Sequence, residues 1–80
     1  MKLEVLGTGC AKCNALEDAV RKAADELGIE YTLEHVKDLG KIASYGVLMT
    51  PGLVVDGEVK ASGKIPNSAE LAAILRSSAS

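Results

Sequence analysis

The chain has 80 residues with a formal net charge of −2, of which 48% are hydrophobic and 25% charged, and it contains neither Trp nor Phe. A domain this short buries only about 60–65% of the surface that its unfolded chain exposes, which argues against a large internal cofactor such as haem or a dinucleotide. Nine basic against eleven acidic residues provide no electrostatic footprint for nucleic acid or for an anionic membrane.

The first half of the sequence predicts a strand, a helix and a second strand. Alternating apolar and polar residues predict a strand over Lys2–Leu6, and a second alternating segment predicts one over Ile29–Val36. Between them, apolar residues recur every three or four positions and predict a helix that ends at Gly28 and buries Cys13, Leu16, Val20, Ala23 and Leu27. Such a βαβ unit makes the two strands parallel, with a right-handed crossover.

The second half predicts a short helix, a hairpin and a closing helix. The short helix covers about Lys37–Tyr45, and the hairpin spans Leu53–Ala61 around Asp56–Gly57, a dipeptide that favours the type I′ turn. The Asn67–Glu70 spacing resembles a capping box before a helix with the apolar residues Leu71, Ala72, Ile74 and Leu75. No linker or repeat interrupts the order β-α-β-α-β-β-α, so we expect one domain over residues 1–80.

The amino-terminal segment predicts a cytoplasmic location. It contains Glu4 and an apolar run far shorter than that of a signal peptide, and no stretch approaches the ~20 apolar residues of a transmembrane helix. We therefore expect a cytoplasmic protein without a membrane partner.

In a reducing compartment, two cysteines three positions apart are more often redox-active or metal-binding than a structural disulfide. So small a disulfide loop would also add little stability.

Cys10 and Cys13 lie where the first strand passes into the first helix, the sheet edge at which ligand sites of α/β proteins gather. The N–H groups and dipole of a helix N-terminus stabilise a thiolate, and CxxC sites have lowered thiol pKa values. We expect Cys10 to be exposed and nucleophilic. Cys13 belongs to the buried face, so we expect it to be shielded and to attack a mixed disulfide formed on Cys10. Lys12 adds a nearby positive charge that water screens.

A lone CxxC motif also serves as half of a zinc site or as a copper(I) clamp. Zinc usually takes four N or S ligands, and the single histidine, His35, lies on a different strand, so we expect no structural zinc site within one chain. Copper carriers with a CxxC after the first strand follow the order β-α-β-β-α-β, whereas this chain ends in a predicted helix. A soft-metal binding module for copper(I), zinc or arsenite is the alternative hypothesis, and an inactive interaction domain is the third.

Several segments together resemble the thioredoxin/glutaredoxin fold: the Cys10–Cys13 motif after a first strand, Thr50–Pro51 directly before a hairpin, and a terminal helix. More closely, segments 5–13, 45–47, 50–51 and 63–66 resemble the small thioredoxin-like redox-active disulfide proteins, and the match runs over nearly the whole chain. The resemblance implies a three-layer α/β/α fold with a four-stranded mixed sheet. It also implies an electron-carrying thiol–disulfide oxidoreductase that needs no cofactor.

The resemblance further implies that Pro51 is cis, packs beside the disulfide and presents the backbone of Thr50 to a substrate. Lys12, because of its positive charge between the two cysteines, is expected to be a third substrate-binding residue. Its substrates would be client protein disulfides, and its reductant a thioredoxin-reductase-like protein or a small thiol. We expect a monomer. Thioredoxins carry Trp-Cys-Gly-Pro-Cys, whereas here Gly9 precedes the first cysteine and Ala11 and Lys12 separate the pair. Redox potential and reductase recognition therefore stay open.

Four further polar residues receive structural predictions. His35, at a strand end among apolar neighbours, is expected to be a partly buried structural histidine rather than an acid/base catalyst. Tyr45 is expected to pack at the end of the short helix, with a role near the cysteines as the alternative. Glu34 and Asp38 are expected to be solvated.

Overall fold

In the computed structural model, which describes residues 1–7 and 11–79, the chain forms four strands and three helices. In chain order these are β1 Lys2–Leu6, α1 Ala11–Glu26, β2 Thr32–Val36, α2 Leu39–Ser44, β3 Gly52–Val55, β4 Glu58–Ser62 and α3 Ser68–Ala79. The element order β-α-β-α-β-β-α and the α/β fold class are confirmed.

The four strands form one mixed sheet in the order β2-β1-β3-β4. Strands β1 and β2 are parallel, as the βαβ unit predicts, and Leu6 of β1 is paired with Val36 of β2. Strand β3 is antiparallel to both β1 and β4. Asp56 and Gly57, which connect β3 to β4, have φ angles of 50° and 84°. Positive φ at both positions is the signature of the predicted type I′ turn.

Side chains of β1 alternate between two cores, one on each face of the sheet. Leu3 and Val5 belong to a core completed by α1 and α3, whereas Leu6 belongs to a second core that includes Ile42 of α2. Burying a side chain of this size contributes about 1.5–3 kcal/mol. With α1 and α3 on one face and α2 on the other, the structure has the three α/β/α layers expected from the resemblance.

Helix α1 buries the predicted apolar stripe: its buried residues are Cys13, Leu16, Val20, Ala23 and Ala24. Leu27, which was also expected there, lies beyond the last helical residue and is half-buried against the same core. Within residues 1–7 and 11–79, no helix has the length and apolar character needed to cross a membrane.

Strand β2 starts at Thr32, three residues later than predicted. The cause is the end of α1, where Gly28 adopts a φ of 67° and its N–H donates to the Asp25 carbonyl. The N–H of Ile29 donates to the Ala24 carbonyl at 3.0 Å. These two bonds form a Schellman motif, which commits Ile29 to the helix end instead of the sheet.

The boundaries of α2 and α3 are set by side-chain caps. Asp38, expected to be solvated, is exposed and also caps α2, because its carboxylate accepts hydrogen bonds from the N–H groups of Gly40 and Lys41. Helix α2 consequently begins at Leu39, two residues later than predicted. At α3, the Glu70 N–H donates to Asn67 Oδ1 at 2.8 Å and the Asn67 N–H donates to Glu70 Oε1 at 3.3 Å. The predicted capping box is therefore confirmed.

Candidate functional site

Cys13 lies in the first turn of α1 and is fully buried, as the apolar stripe predicted. Helix α1 begins at Ala11, so Lys12 is also in its first turn, where its side chain is exposed. Cys10 lies outside the described residues, and its exposure and nucleophilic role stay predictions. The described part of the site is therefore built around the second cysteine of the motif.

The Cys13 side chain packs directly against the backbone of Gly7. A Cβ added to Gly7 would overlap Cys13 Sγ and would lie 3.1 Å from Cys13 Cβ. Gly7 is fixed because its N–H donates to the Val36 carbonyl at 2.9 Å, which continues the β1–β2 pairing beyond Leu6. A side chain cannot fit between this strand end and the thiol. Sequence analysis did not single out Gly7, and close backbone approach is the role it missed.

Thr50 and Pro51 approach the same point from the segment before β3. The Cβ added to Gly7 would lie 3.8 Å from Thr50 Cβ, so Thr50 is a close neighbour of the Gly7–Cys13 contact. The Thr50–Pro51 peptide bond is cis. Thr50 is exposed and Pro51 is buried. The Pro51 carbonyl accepts a hydrogen bond from the Gly63 N–H at 2.9 Å. The fold thus brings Thr50, a predicted substrate-binding residue, close to the Gly7–Cys13 contact although it is 37 positions from Cys13 in the sequence, and Pro51 directly follows it.

Glu4 of β1 is a buried carboxylate on the α2 face of the sheet, with only 1% of its surface exposed. The Tyr45 hydroxyl donates to Glu4 at 2.9 Å, and Lys41 Nζ lies 3.6 Å from Glu4 Oε2. Lys2 Nζ lies 3.9 Å from Oε1. Glu4 is thus paired and hydrogen-bonded, as a buried charge must be. Sequence analysis did not single it out, because alternation in β1 suggested a solvent-facing polar side.

These contacts shift two pKa values. The pKa of Lys41 is raised mainly by the Glu34 carboxylate, which lies 3.7 Å from Lys41 Nζ. Partial desolvation lowers this pKa, and the charge of Glu4 raises it further. The hydrogen bond to Glu4, followed by burial, raises the pKa of Tyr45 above its ordinary value. Tyr45 also packs against the second core at the end of α2, the position expected for it.

His35 is a mostly buried residue of β2 whose side chain is 15% exposed. Its Nδ1 lies 3.6 Å from Glu17 Oε1 of α1. Among the described residues, no group forms a hydrogen bond with its buried Nε2 atom. This placement agrees with the structural role expected for His35.

A metal site is not found in the part of the chain that the structure describes. Within residues 1–7 and 11–79, no three side chains of the types His, Cys, Asp and Glu come close enough together to hold a metal ion.

Comparison with known proteins points to one family. The family described as "Thioredoxin domain" matches residues 1–76. A protein named thioredoxin from Methanothermobacter thermautotrophicus is 43% identical over 75 residues, which cover 94% of this chain and 97% of that protein. A second protein named thioredoxin, from Methanocaldococcus jannaschii, is 40% identical over 75 residues, which cover 94% of this chain and 86% of that protein.

Proposed function

The chain belongs to the thioredoxin domain family and is a thiol–disulfide oxidoreductase, and we propose that its exchange reaction runs through Cys10 and Cys13. One observation carries the proposal: the Cys13 thiol is packed against Gly7 beside Thr50, at the start of α1. Because the Cys13 thiol is buried, it is poorly placed to attack a client disulfide directly. It is suited to attack the mixed disulfide that Cys10 has already formed with the client.

The two cysteines act in sequence. The Cys10 thiolate attacks one sulfur of a client disulfide, forms a mixed disulfide and releases the other client sulfur as a thiolate. The Cys13 thiol loses its proton to solvent and attacks the Cys10 sulfur, which forms the Cys10–Cys13 disulfide and releases the second client sulfur as a thiolate. Two electrons pass to the client, and its two released thiolates take up protons from solvent.

The segment before β3 receives the client. Thr50 is exposed beside the Gly7–Cys13 contact, and Pro51, which follows it, has no N–H to donate. The backbone of Thr50 therefore pairs with an extended client segment in the manner of an added strand. Lys12, exposed one residue before Cys13, supplies a positive charge near the reacting sulfurs.

The catalytic cycle needs client protein disulfides and a reductant that restores the dithiol. We assign the second role to a thioredoxin-reductase-like protein or a small thiol in the cytoplasm, with the protein acting as a monomeric single domain. No cofactor enters these steps, because the electrons reside in the two sulfur atoms.

The test combines exchange activity, trapping and metal analysis. Wild type, Cys10→Ser, Cys13→Ser and the double variant are assayed for reduction of a protein disulfide at defined glutathione ratios. We expect activity in the wild type alone, and a stable mixed disulfide with Cys13→Ser but not with Cys10→Ser. The double variant controls for thiol-independent effects. Stoichiometric bound metal without exchange activity would instead establish the soft-metal alternative and refute the proposal.

A further inference from the structure

His35 is a titratable side chain that the proposed exchange steps do not use. It is paired with Val5 of β1, and its ring faces α1, because Nδ1 lies 3.6 Å from Glu17 Oε1. Two residues beyond Val5, the backbone of Gly7 packs against Cys13. Two strand residues span about 7 Å. The imidazole therefore lies on the same face of the sheet as the Cys13 side chain, one layer of side chains further along the strands.

Glu17 follows Cys13 by one turn of α1. Side chains four positions apart on a helix are neighbours, with Cβ atoms about 5–6 Å apart. The Glu17 side chain is 24% exposed, whereas the other acidic residues of α1, Asp18, Asp25 and Glu26, are exposed. Water screens a partly buried carboxylate less than an exposed one. A negative charge at this distance disfavours the thiolate form of a cysteine.

The charge of a protonated His35 ring opposes that of Glu17. Histidine is the residue type whose charge changes between pH 5 and 8, and a protonated ring carries a donor on Nδ1, the atom nearest Glu17. No described residue forms a hydrogen bond with Nε2. On this face β1 contributes the uncharged side chains of Leu3 and Val5. The other charged groups near the pair are exposed and screened by water: Arg21 one turn beyond Glu17, Lys37 two residues after His35, and Lys12 next to Cys13.

On the premise that the proposed exchange through Cys10 and Cys13 holds, we propose that Glu17 and His35 together set the ionisation of the Cys13 thiol. Glu17 holds Cys13 in its protonated form while His35 is neutral, and protonation of His35 offsets this effect. Both are positioning residues, because they act on Cys13 and touch no substrate. Resolution of the mixed disulfide needs the Cys13 thiolate. The pair therefore limits how far this step slows as pH falls.

The direct test titrates Cys13 in the Cys10→Ser variant, where it is the single thiol of the chain. The thiolate is detected by its ultraviolet absorbance. We expect that adding Glu17→Gln moves the midpoint to lower pH by about half a unit. Asp18→Asn is the matched control, since it removes the same charge from the next residue, which is exposed, and leaves the midpoint unchanged. No shift in Glu17→Gln, or an equal shift in both variants, would overturn the proposal.

The second test measures the pH profile of the resolution step by stopped flow, at concentrations of bis(2-hydroxyethyl) disulfide that no longer limit the rate. A single thiol ionisation changes the rate tenfold per pH unit, and we expect the wild type to change less than this between pH 5 and 8. In His35→Gln, whose side chain stays neutral, we expect the full tenfold change, and His35→Asn serves if that variant does not fold. A profile parallel to that of the wild type would refute the role of His35.

Glu17→Gln has a smaller effect on the rate than on the ionisation. A half-unit shift raises the thiolate fraction about threefold, but the less basic thiolate is a weaker nucleophile, so we expect resolution to be about twofold faster. A slower step would contradict the proposal. If the wild type does not reduce bis(2-hydroxyethyl) disulfide at all, the exchange function itself fails. If it does, and the Cys13 titration is the same with and without Glu17→Gln, the exchange function stands and only the role of Glu17 and His35 is refuted.

Discussion

Replacement of Gly7 by alanine tests the contact on which the site is built. The new Cβ would overlap Cys13 Sγ and would lie 3.1 Å from Cys13 Cβ. Carbon and sulfur need about the 3.5–4.0 Å separation of ordinary van der Waals contact, so the thiol must move by more than 1 Å. Leu16 and Val20 anchor α1 with fully buried side chains, which prevents the helix from simply moving away.

Overpacking of this kind costs about 1–3 kcal/mol, and we expect Gly7→Ala to lower the free energy of unfolding by that amount. In the proposed mechanism, displacing the Cys13 thiol by about 1 Å can slow its attack on the mixed disulfide by up to about a hundredfold. The measurements are urea unfolding and stopped-flow detection of the mixed disulfide. We expect that intermediate to accumulate in Gly7→Ala because its resolution is slowed. Gly40→Ala is the matched control: Gly40 lies in α2, and among the described residues an added Cβ would meet the Asp38 side chain alone, at 3.3 Å.

A double-mutant cycle decides whether the thiol is responsible. In a Cys13→Ala background the overlapping sulfur is absent, so most of the destabilisation by Gly7→Ala should disappear. An equal loss of stability in both backgrounds would refute the reasoning, since the cost would then come from the backbone of Gly7 itself.

Three further predictions concern stability. Asn67→Ala removes the side-chain acceptor of the capping box and should cost about 1 kcal/mol in urea unfolding, whereas an unchanged midpoint would show that α3 does not depend on its cap. Tyr45→Phe should weaken the loss of stability above pH 10. Because the pKa of Tyr45 is raised in the folded state, its interactions stabilise the fold below the ordinary pKa of 10.0, and this stability is lost as pH rises through the folded-state pKa. Equal slopes of unfolding free energy against pH in the wild type and Tyr45→Phe would contradict the prediction. His35→Leu removes the buried Nε2 atom, which forms no hydrogen bond with any described residue. Thermal unfolding should therefore show a stability at most about 1 kcal/mol below that of the wild type. A larger loss would show that the His35 ring makes a stabilising polar interaction.

Local patterns predicted the elements whose boundaries depend on nearby residues. Strand β1 was predicted with its observed limits, and the Asp56–Gly57 turn and the Asn67–Glu70 capping box follow from residues within three positions of one another. The start of β2 was wrong because Ile29 fits a strand pattern but its N–H is used by the end of α1. The periodicity of apolar residues indicates which face of a segment is buried. It does not indicate which carbonyl accepts the hydrogen bond of a given backbone N–H.

The site was less predictable because its contacts cross the sequence. The approach of Thr50 to Cys13 was anticipated from family resemblance, which places the proline segment beside the motif, and no property of the two residues alone indicates it. The burial of Glu4 was missed because β1 lies between β2 and β3 and is covered on both faces. That position in the sheet, and the need for a bare backbone at Gly7, arise only once the layers are assembled.

The two cores divide the site between separate layers. Cys13 is carried by a helix anchored through Leu16 and Val20 in the first core, whereas Thr50 follows Val47, which belongs to the second. If Cys13 and Thr50 have the proposed roles, sulfur chemistry and client recognition can be engineered through different sets of buried residues. A library of variants in the second core, around α2, would change client preference and leave the Cys13 thiol unaltered. A library in the first core, around α1, would change the reactivity of the Cys13 thiol and leave the segment at Thr50 unaltered.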